Sequence, residues 1–282
     1  MSAAIDPVVS RKMWRTLEPY HGMIYFSPQA TAAYADIGID GRAGYFASRA
    51  APMGAVPTEV VVATFYNFAP DVVRAAIPGA WMAASPEQIT KVRLAAVDST
   101  LREVLGDAIG GPDIAEAAEL ARIAAGACSP EGRPLYAGHA SLDWPERPHL
   151  VLWHALTLLR EYRGDGHIAA LVVEGLDGCE ALHTHGAAAD SPVPLDLLQA
   201  TRGWDDEAWA AAADRLAARG LLDGTGLTAL GEEVRARVED TTDRLALAPW
   251  RALGADACDR LRTLVRPHSR TIAGSGIFAL GT

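Results

Sequence analysis

The sequence predicts a mostly α-helical protein, with a helical N-terminal domain followed by a winged helix that carries a small two-stranded β-wing. Residues 194–238 have the order helix, turn, helix, tight hairpin and long helix, which is the order of a winged helix. Upstream, apolar residues recur at helical spacing between breaks formed by Ser-Pro, Pro and Gly. The apolar segment 56–68 has no strand-like neighbour with which to pair, so we expect a helix there as well.

The winged helix is predicted from its local start and stop signals. Its first helix ends at Gly203, a residue suited to the left-handed turn that terminates helices. Asp205 is a good N-cap for the second helix, which is expected to run to Gly220. The Asp-Gly and Thr-Gly pairs of residues 223–226 are typical of a hairpin turn, after which helical spacing resumes. These signals predict two helices, a short wing and a third helix.

The upstream helices follow from capping residues and apolar periodicity. Helical patterns cover residues 10–26, 28–37, 87–105 and 113–128, and the first is disturbed by Pro19 and Gly22. Residues 149–163 form the most hydrophobic segment, which we expect to be central. The glycines of residues 164–167 are expected to end that helix, followed by two short helices over 168–176 and 177–185. The linker 186–194 then predicts a ligand-binding domain at 1–190 and a winged-helix domain at 191–282.

Composition limits the possible partners. The chain has 282 residues, 50% of them apolar, and a net charge of −10, which argues against a nucleic acid or an anionic membrane as the default partner. No run of about 18 apolar residues and no N-terminal signal pattern occurs, so we expect a cytoplasmic protein without a membrane partner. The three cysteines and the His and acidic residues of 174–185 fit neither a disulfide framework nor a familiar zinc spacing. We therefore expect no metal site, and the sequence identifies no cofactor.

Charge at the predicted recognition helix disfavours conventional DNA binding. In helix-turn-helix proteins the first residues of that helix enter the major groove. Here those positions hold Asp205, Asp206 and Glu207, which phosphate would repel. The acids can equally serve only to cap the helix. We expect weak or absent DNA contact, for which the candidate residues are Arg202, Arg215 and Arg219.

Two groups of polar residues are candidates for acid/base chemistry. Glu18, His21 and Tyr25 share one face of a helix that continues past Pro19, where they could form a proton relay, a ligand site or a polar network that only satisfies itself. Asp165 and His167 flank a glycine and are expected to turn towards one point, as a base with its orienting partner. Both groups are interpreted as candidate catalytic residues.

A ligand pocket is expected among aromatic residues of the N-terminal domain. Tyr25 is assigned to this pocket as well as to the catalytic group. The other candidate ligand-binding residues are Tyr45, Phe46, Arg49, Phe65, Trp153 and His154, of which His154 also suits an ordinary core position on an apolar helix.

Two resemblances support this fold. Residues 215–222, RLAARGLL, and 227–231, LTALG, resemble the end of the recognition helix and the wing of the multiple-antibiotic-resistance (MarR-type) regulators. Over nearly the whole length, segments such as LEPYHGMIYFSPQA, TFYNFAP and LWHALTLLREYRGDGHIAALVVEGLDGCEALHTHGA are similar to those of SalA-like helix-turn-helix proteins of high-GC bacteria. The second resemblance implies a helical N-terminal domain and a degenerate winged helix, and it carries no assigned reaction.

These observations favour a small-molecule-binding, regulatory winged-helix protein. Hydrophobic helices over 232–247 and 255–265 further suggest a homodimer, although they could also pack back on the long apolar helix. The alternative function is an enzyme built on the same scaffold that performs acid/base chemistry on a small organic substrate. The first function is preferred because it requires only a pocket and a scaffold.

Overall fold

The computed structural model describes residues 5–189, 191, 193–224 and 226–279. Over these residues the protein is mostly α-helical with one two-stranded antiparallel sheet, so the predicted fold class is confirmed. The upstream helices are α1 (Val8–Gly22), α2 (Pro28–Ala35), α3 (Arg42–Ala50), α4 (Thr58–Thr64), α5 (Pro70–Ala83), α6 (Pro86–Leu105), α7 (Pro112–Ala125), α8 (Pro134–Ala140), α9 (Pro148–Val173) and α10 (Gly178–Gly186). They are followed by α11 (Leu195–Arg202), α12 (Asp206–Ala218), β1 (Leu222–Asp223), β2 (Gly226–Leu227), α13 (Ala229–Leu245), α14 (Ala248–Leu253) and α15 (Ala255–Gly274).

Capping residues start several of these helices where the sequence predicts a start. At the start of α2 the Ser27 hydroxyl accepts a hydrogen bond from the Ala30 amide, and at the start of α6 the Ser85 hydroxyl accepts one from the Gln88 amide. Both helices have proline at their first position. Asp205 accepts from the Ala208 amide at the start of α12. Each such cap satisfies an otherwise unpaired amide and contributes about 1 kcal/mol. Local chemistry therefore determines these boundaries.

Helix α9 forms the centre of the molecule. Its Leu152 and Leu156 are buried, and α1, α6, α7, α8 and α13 pack around it. The main core includes apolar side chains from α1, α6, α7, α9 and α15. The helix expected to be central thus has five other α-helices packed around it.

The predicted break at residues 164–167 is wrong, because α9 continues through these residues to Val173. Gly166 is required there for close packing: a Cβ at this position would lie 2.9 Å from Arg133 Nη1 and 3.2 Å from Leu245 Cβ. Successive helical residues are about 100° apart around the axis, so Asp165 and His167, two residues apart, leave α9 in different directions and contact different neighbouring helices. The prediction that they turn towards one point is wrong for the same reason.

The winged helix has the predicted order of elements. Helix α11 ends at Gly203, whose φ is +76°, and α12 follows after a short turn. In the wing, Leu222 pairs with Leu227 and Asp223 with Gly226. Thr225 of the predicted hairpin turn, and Asp190 and Pro192 of the predicted linker, lie outside the described residues.

The C-terminal helices pack on the N-terminal ones. After α13, which lies against α9 and α1, the chain returns so that α15 packs on α1 and α7. The apolar side chains Trp250, Leu261 and Val265 lie in the same core as Met13 of α1. The faces that suggested dimerisation are therefore buried within the chain, and the homodimer stays a prediction.

None of the helices in the described part of the chain is long and apolar enough to cross a lipid bilayer.

Candidate functional site

A cavity of about 790 Å³ lies between the N-terminal helices and the winged helix. Its walls come from α1, α3, the segment that joins α4 to α5, α9 and α13, with contributions from the ends of α10 and α11. Cavities of about 300–1,000 Å³ are the size of sites that bind drug-sized ligands. The cavity is the principal candidate site.

One wall of the cavity is aromatic. The rings of Tyr45, Phe65 and Phe68 line it, with ring centroids 6.0 Å apart for Tyr45 and Phe65 and 5.5 Å apart for Tyr45 and Phe68. Phe46 is fully buried behind these rings, 4.9 Å from Phe68. The ring planes are inclined to one another by 45° to 75°, and together they offer an apolar surface to a ligand.

Next to the aromatic wall lies a buried charge cluster. Arg49 donates two hydrogen bonds from Nη2 to the carboxylate of Glu161, at 2.8 and 3.0 Å, and its guanidinium lies 4.7 Å from the centre of the Phe65 ring. Arg160 donates to the same carboxylate at 2.8 Å. Burial opposes the charge of Glu161, but Arg160 and Arg49 outweigh this effect and hold the pKa of that carboxyl well below its usual range. One ionised carboxylate thus neutralises part of the charge of two guanidinium groups.

Asp165 and His167 both line the cavity but are bonded to different helices. Asp165 Oδ2 accepts a hydrogen bond from the Tyr136 amide at 2.9 Å, and His167 Nδ1 lies 2.9 Å from Thr242 Oγ1. Burial raises the pKa of Asp165 to about 6 and lowers the pKa of His167 to about 4. At neutral pH His167 is therefore uncharged, and Asp165 titrates within the range useful for general acid/base work.

The structure brings Glu18, His21 and Tyr25 together outside the large cavity. His21 Nε2 lies 3.3 Å from Tyr25 Oη, while His21 Nδ1 lies 3.8 Å from Glu18 Oε2, beyond hydrogen-bond distance. Tyr25 Oη also accepts a hydrogen bond from Arg93. Glu18 and His21 line a second cavity of only about 20 Å³, room for about one water molecule. This group has no opening of ligand size among the described residues.

The predicted ligand-binding residues divide into two sets. Tyr45, Arg49 and Phe65 line the large cavity. Trp153 donates its indole N–H to the His21 carbonyl at 3.1 Å, and burial lowers the pKa of His154 to about 4. These two residues and Phe46 are not among the cavity-lining residues that the structure describes.

The three arginines predicted for DNA contact are directed inward or along the protein. Arg215 donates to Glu180 at 2.9 Å and to Asp177 at 2.5 Å. Arg219 donates to the carbonyls of residues 174 and 175. Arg202 lines the cavity, with its guanidinium 4.8 Å from the centre of the Phe68 ring, and burial lowers its pKa.

The solvent-exposed face of α12 is composed of alanines and acids. Its exposed residues are Asp206, Glu207, Ala210, Ala211, Asp214, Arg215, Ala217 and Ala218. Arg215 is the one basic side chain among them and is already paired with Glu180 and Asp177. This face offers phosphate no free positive charge along the described helix.

A segment whose contacts with the winged helix were not predicted joins the cavity to the winged helix. We name residues 65–69 the bridging loop. The Ala69 amide donates to the Arg202 carbonyl at 3.0 Å, and the Trp204 indole donates to the Asn67 carbonyl at 3.0 Å. Tyr66 Oη donates to the Leu176 carbonyl at 2.6 Å. These partners lie more than 100 residues apart in the chain, so no local sequence signal could have revealed them.

Sequence reasoning also missed the contribution of α1 and α13 to the cavity. The lining residues in question are Arg11, Trp14, Arg15, Glu232, Arg235, Glu239 and Asp240. Apart from Trp14, these residues are charged, and their spacing is that of ordinary solvent-exposed helix faces. Within the described ranges, no three His, Cys, Asp or Glu side chains are placed to hold a metal ion.

Comparison with known proteins gives one match. The sequence profile of a helix-turn-helix family matches residues 10–279, which is nearly the whole chain. No curated protein and no solved structure matches the chain.

Proposed function

The chain belongs to this helix-turn-helix family, and on that basis we propose that it is a regulatory protein that binds a small organic molecule in the cavity beneath its winged helix. Its winged helix binds DNA weakly or not at all in the conventional pose. The similarity to SalA-like and MarR-type proteins noted in the sequence is consistent with this proposal.

The observation that carries the proposal is the cavity itself. Its volume of about 790 Å³ and its wall of Tyr45, Phe65 and Phe68 suit an organic ligand, whose burial against aromatic rings is favourable. Polar groups that can fix the orientation of such a ligand line the same cavity, among them Asp165 and His167. A structural core would instead be packed without a void of this size.

The bridging loop supports a regulatory role. Phe65 and Phe68 face the cavity, while Asn67 and Ala69 of the same loop are hydrogen-bonded to the turn between α11 and α12. At Gly178 of α10 a Cβ would lie 1.9 Å from the Tyr66 carbonyl oxygen, so the loop is in direct backbone contact with α10, which in turn packs against α12 of the winged helix. A ligand that prefers one position of this loop would shift the position of the helix-turn-helix unit.

Charge on α12 supports the proposal that DNA is not held in the conventional way. Phosphate contacts dominate the affinity of proteins for DNA and need Lys or Arg. The exposed face of α12 instead carries Asp206, Glu207 and Asp214, and the wing carries the exposed Asp223. Repulsion at these positions weakens any approach to a phosphate backbone.

A cavity-filling substitution tests ligand binding. The neutral fluorescent probe N-phenylnaphthylamine is expected to bind the wild-type protein in the cavity. Ile168 lines the cavity on α9, so Ile168→Trp places an indole in the ligand space and is expected to weaken probe binding about tenfold or more, which is the loss of about 1.4 kcal/mol or more. Fluorescence titration measures both affinities.

The matched control is Ile123→Trp, because Ile123 is 57% exposed on α7 and does not line the cavity. This variant is expected to bind the probe as the wild type does. Equal affinity of the Ile168→Trp variant and the control, with both folded as judged by circular dichroism, would contradict binding in the cavity.

An enzyme remains the second candidate function because of one observation. Asp165 lies in the cavity wall with a pKa raised to about 6, where a carboxyl can both donate and accept a proton near neutral pH. The enzyme ranks second because Asp165 and His167 are bonded to different helices and do not orient each other.

A further inference from the structure

We infer that the ligand of the cavity is an organic anion with one negative charge on an apolar, aromatic body, and that Arg202 binds its anionic group. This inference rests on the proposed ligand-binding function. It names the chemical class of the ligand and the residue that selects it.

Charge pairing in the cavity identifies Arg202. The arginines that line the cavity are Arg11, Arg15, Arg49, Arg160, Arg163, Arg202 and Arg235. Each of them except Arg15 and Arg202 has a carboxylate within 4 Å. Arg15 is exposed to solvent. Arg202 is therefore the one partly buried arginine among the described lining residues that lacks a carboxylate partner.

The local environment of Arg202 leaves hydrogen-bond donors unused. Its Nη1 donates to Thr201 Oγ1 at 3.0 Å, and its guanidinium lies over the Phe68 ring. Its Nε is buried without a hydrogen-bond partner among the described residues. Its Nη2 makes no hydrogen bond within the described part of the protein and is the group from which a bound carboxylate or sulfonate would accept.

Neighbouring charges favour an anion at the same end of the cavity. Arg49 and Arg160 both donate to Glu161, and Glu18 Oε1 lies 3.8 Å from Arg160 Nε, so these two guanidinium groups meet two carboxylates. Arg202 lies over Phe68, whose ring is 5.5 Å from the Tyr45 ring that Arg49 covers, so Arg202 adds one uncompensated positive charge at this end of the cavity. Positive charge in a partly enclosed site attracts anions.

The rest of the lining limits the ligand to a single charge and an apolar body. Acidic side chains also line the cavity, namely Glu161, Asp165, Glu232, Glu239 and Asp240, and would repel a polyanion such as a nucleoside triphosphate. The rings of Phe65 and Phe68 adjoin the guanidinium groups of Arg49 and Arg202, at 4.7 and 4.8 Å. A ligand that places an aromatic ring on this wall brings its acidic group to Arg202.

Two probes that differ by one charge test this inference. Anilinonaphthalene sulfonate carries the aromatic body of N-phenylnaphthylamine plus a sulfonate. Arg202→Gln is expected to weaken binding of the sulfonate probe about tenfold or more, because a hydrogen bond to a charged group is lost. Binding of the neutral probe is expected to change less than about twofold, since the aromatic wall is intact.

Two control variants accompany the experiment. Arg266→Gln removes the same charge from an exposed arginine on α15, outside the cavity, and is expected to leave both affinities unchanged. Arg202→Lys keeps the charge and is expected to retain most of the affinity for the sulfonate probe. Because Arg202 packs on Phe68, the ratio of the two affinities within each variant, rather than either affinity alone, is the readout.

The outcomes separate the inference from the proposed function. If the wild type binds both probes and Arg202→Gln changes the two affinities by the same factor or not at all, the anion inference is wrong and cavity binding stands. If the wild type binds neither probe, the proposed function is wrong, and the inference fails with it.

Discussion

Asp165 shows how the cavity alters the chemistry of a single residue. Burial raises the pKa of this carboxyl to about 6, although the Tyr136 amide donates to it and so favours the charged form. A folded-state pKa above the unfolded value means that the carboxyl stabilises the protein below about pH 4 and loses that contribution as the pH rises through about 6. The ionised form is present at neutral pH at a cost in stability.

Asp165→Asn removes this cost and tests it. The asparagine oxygen can still accept from the Tyr136 amide but carries no charge. The free energy of unfolding of the variant relative to the wild type is expected to increase between pH 4 and 6 and to level off above that range, with a total change of about 1–3 kcal/mol. Denaturant titrations at pH 4.5 and 7.5 measure this change.

Asp36→Asn is the control, since Asp36 is exposed at the end of α2. Its stability difference from the wild type is expected to be the same at both pH values. A pH-independent difference for Asp165→Asn as well would show that the carboxyl is not perturbed, and it would remove the basis of the enzyme alternative.

Residue spacing correctly predicted that Glu18, His21 and Tyr25 lie close together, but it gave a wrong prediction for Asp165 and His167. Glu18, His21 and Tyr25 approach one another because α1 continues past Pro19 and passes directly into a single 3₁₀ turn that ends at Tyr25. Asp165 and His167 were placed together on the assumption that Gly164 and Gly166 end the helix. Packing of Gly166 against Arg133 and Leu245 explains that glycine instead, and sequence alone does not contain this tertiary contact.

At the scale of elements, α12 occupies the position of the recognition helix in a helix-turn-helix, but its exposed face is acidic and would repel the phosphates of DNA. Its caps and its terminating Gly220 were predictable from local chemistry. Its buried residues Ala212 and Leu216 pack inward, and its basic residues pair with the region around α10. The hydrogen-bond partners of Arg215 and Arg219 could not be predicted, because residues 174–180 lie about 40 residues away in the chain.

Reversing the charge of α12 tests whether electrostatics prevents DNA binding. The triple variant Asp206→Lys, Glu207→Lys and Asp214→Lys is expected to gain salt-sensitive affinity for duplex DNA, while the wild type shows no complex at micromolar protein. Each lysine that meets a phosphate adds about 0.9 to the slope of log affinity against log salt. Gel-shift titrations at several salt concentrations measure both properties.

The control variant carries Asp36→Lys, Glu119→Lys and Asp256→Lys, which change the net charge equally at exposed positions outside the winged helix. Equal DNA affinity of the two variants would show that only net charge matters. Submicromolar binding of a defined duplex by the wild type would contradict the electrostatic account of α12.

At the scale of the whole molecule, the cavity is a product of the tertiary fold. Its walls combine α1, α3, the bridging loop, α9 and α13, whose residues span positions 11–240. The sequence predicted most of these helices and assigned three of the lining residues, Tyr45, Arg49 and Phe65, to ligand binding. It assigned three other lining residues, Asp165, His167 and Arg202, to catalysis or DNA contact. Packing of α13 on α9 was one of two alternatives that the sequence left open, but the contact of α13 with α1 and the return of α15 to α1 and α7 were not predicted.

This arrangement makes the winged helix part of the cavity wall. Helix α13 contributes Arg235 and Glu239, and the end of α11 contributes Arg202. The bridging loop connects the aromatic wall to the end of α11, through the hydrogen bond from Ala69 to the Arg202 carbonyl, and to the turn at 203–205, through the hydrogen bond from Trp204 to the Asn67 carbonyl. Under the proposed function, a ligand in the cavity would act on the helix-turn-helix unit through these backbone contacts.

Hydrogen exchange with and without anilinonaphthalene sulfonate tests this account most directly, because it reports on both the cavity and the winged helix. We predict that the probe slows amide exchange in the bridging loop, above all at Ala69, and in residues 202–205, while exchange in α7 is unchanged. Probe binding that leaves exchange at both the bridging loop and residues 202–205 unaltered, or that slows it only on α7, would contradict a ligand site coupled to the helix-turn-helix unit.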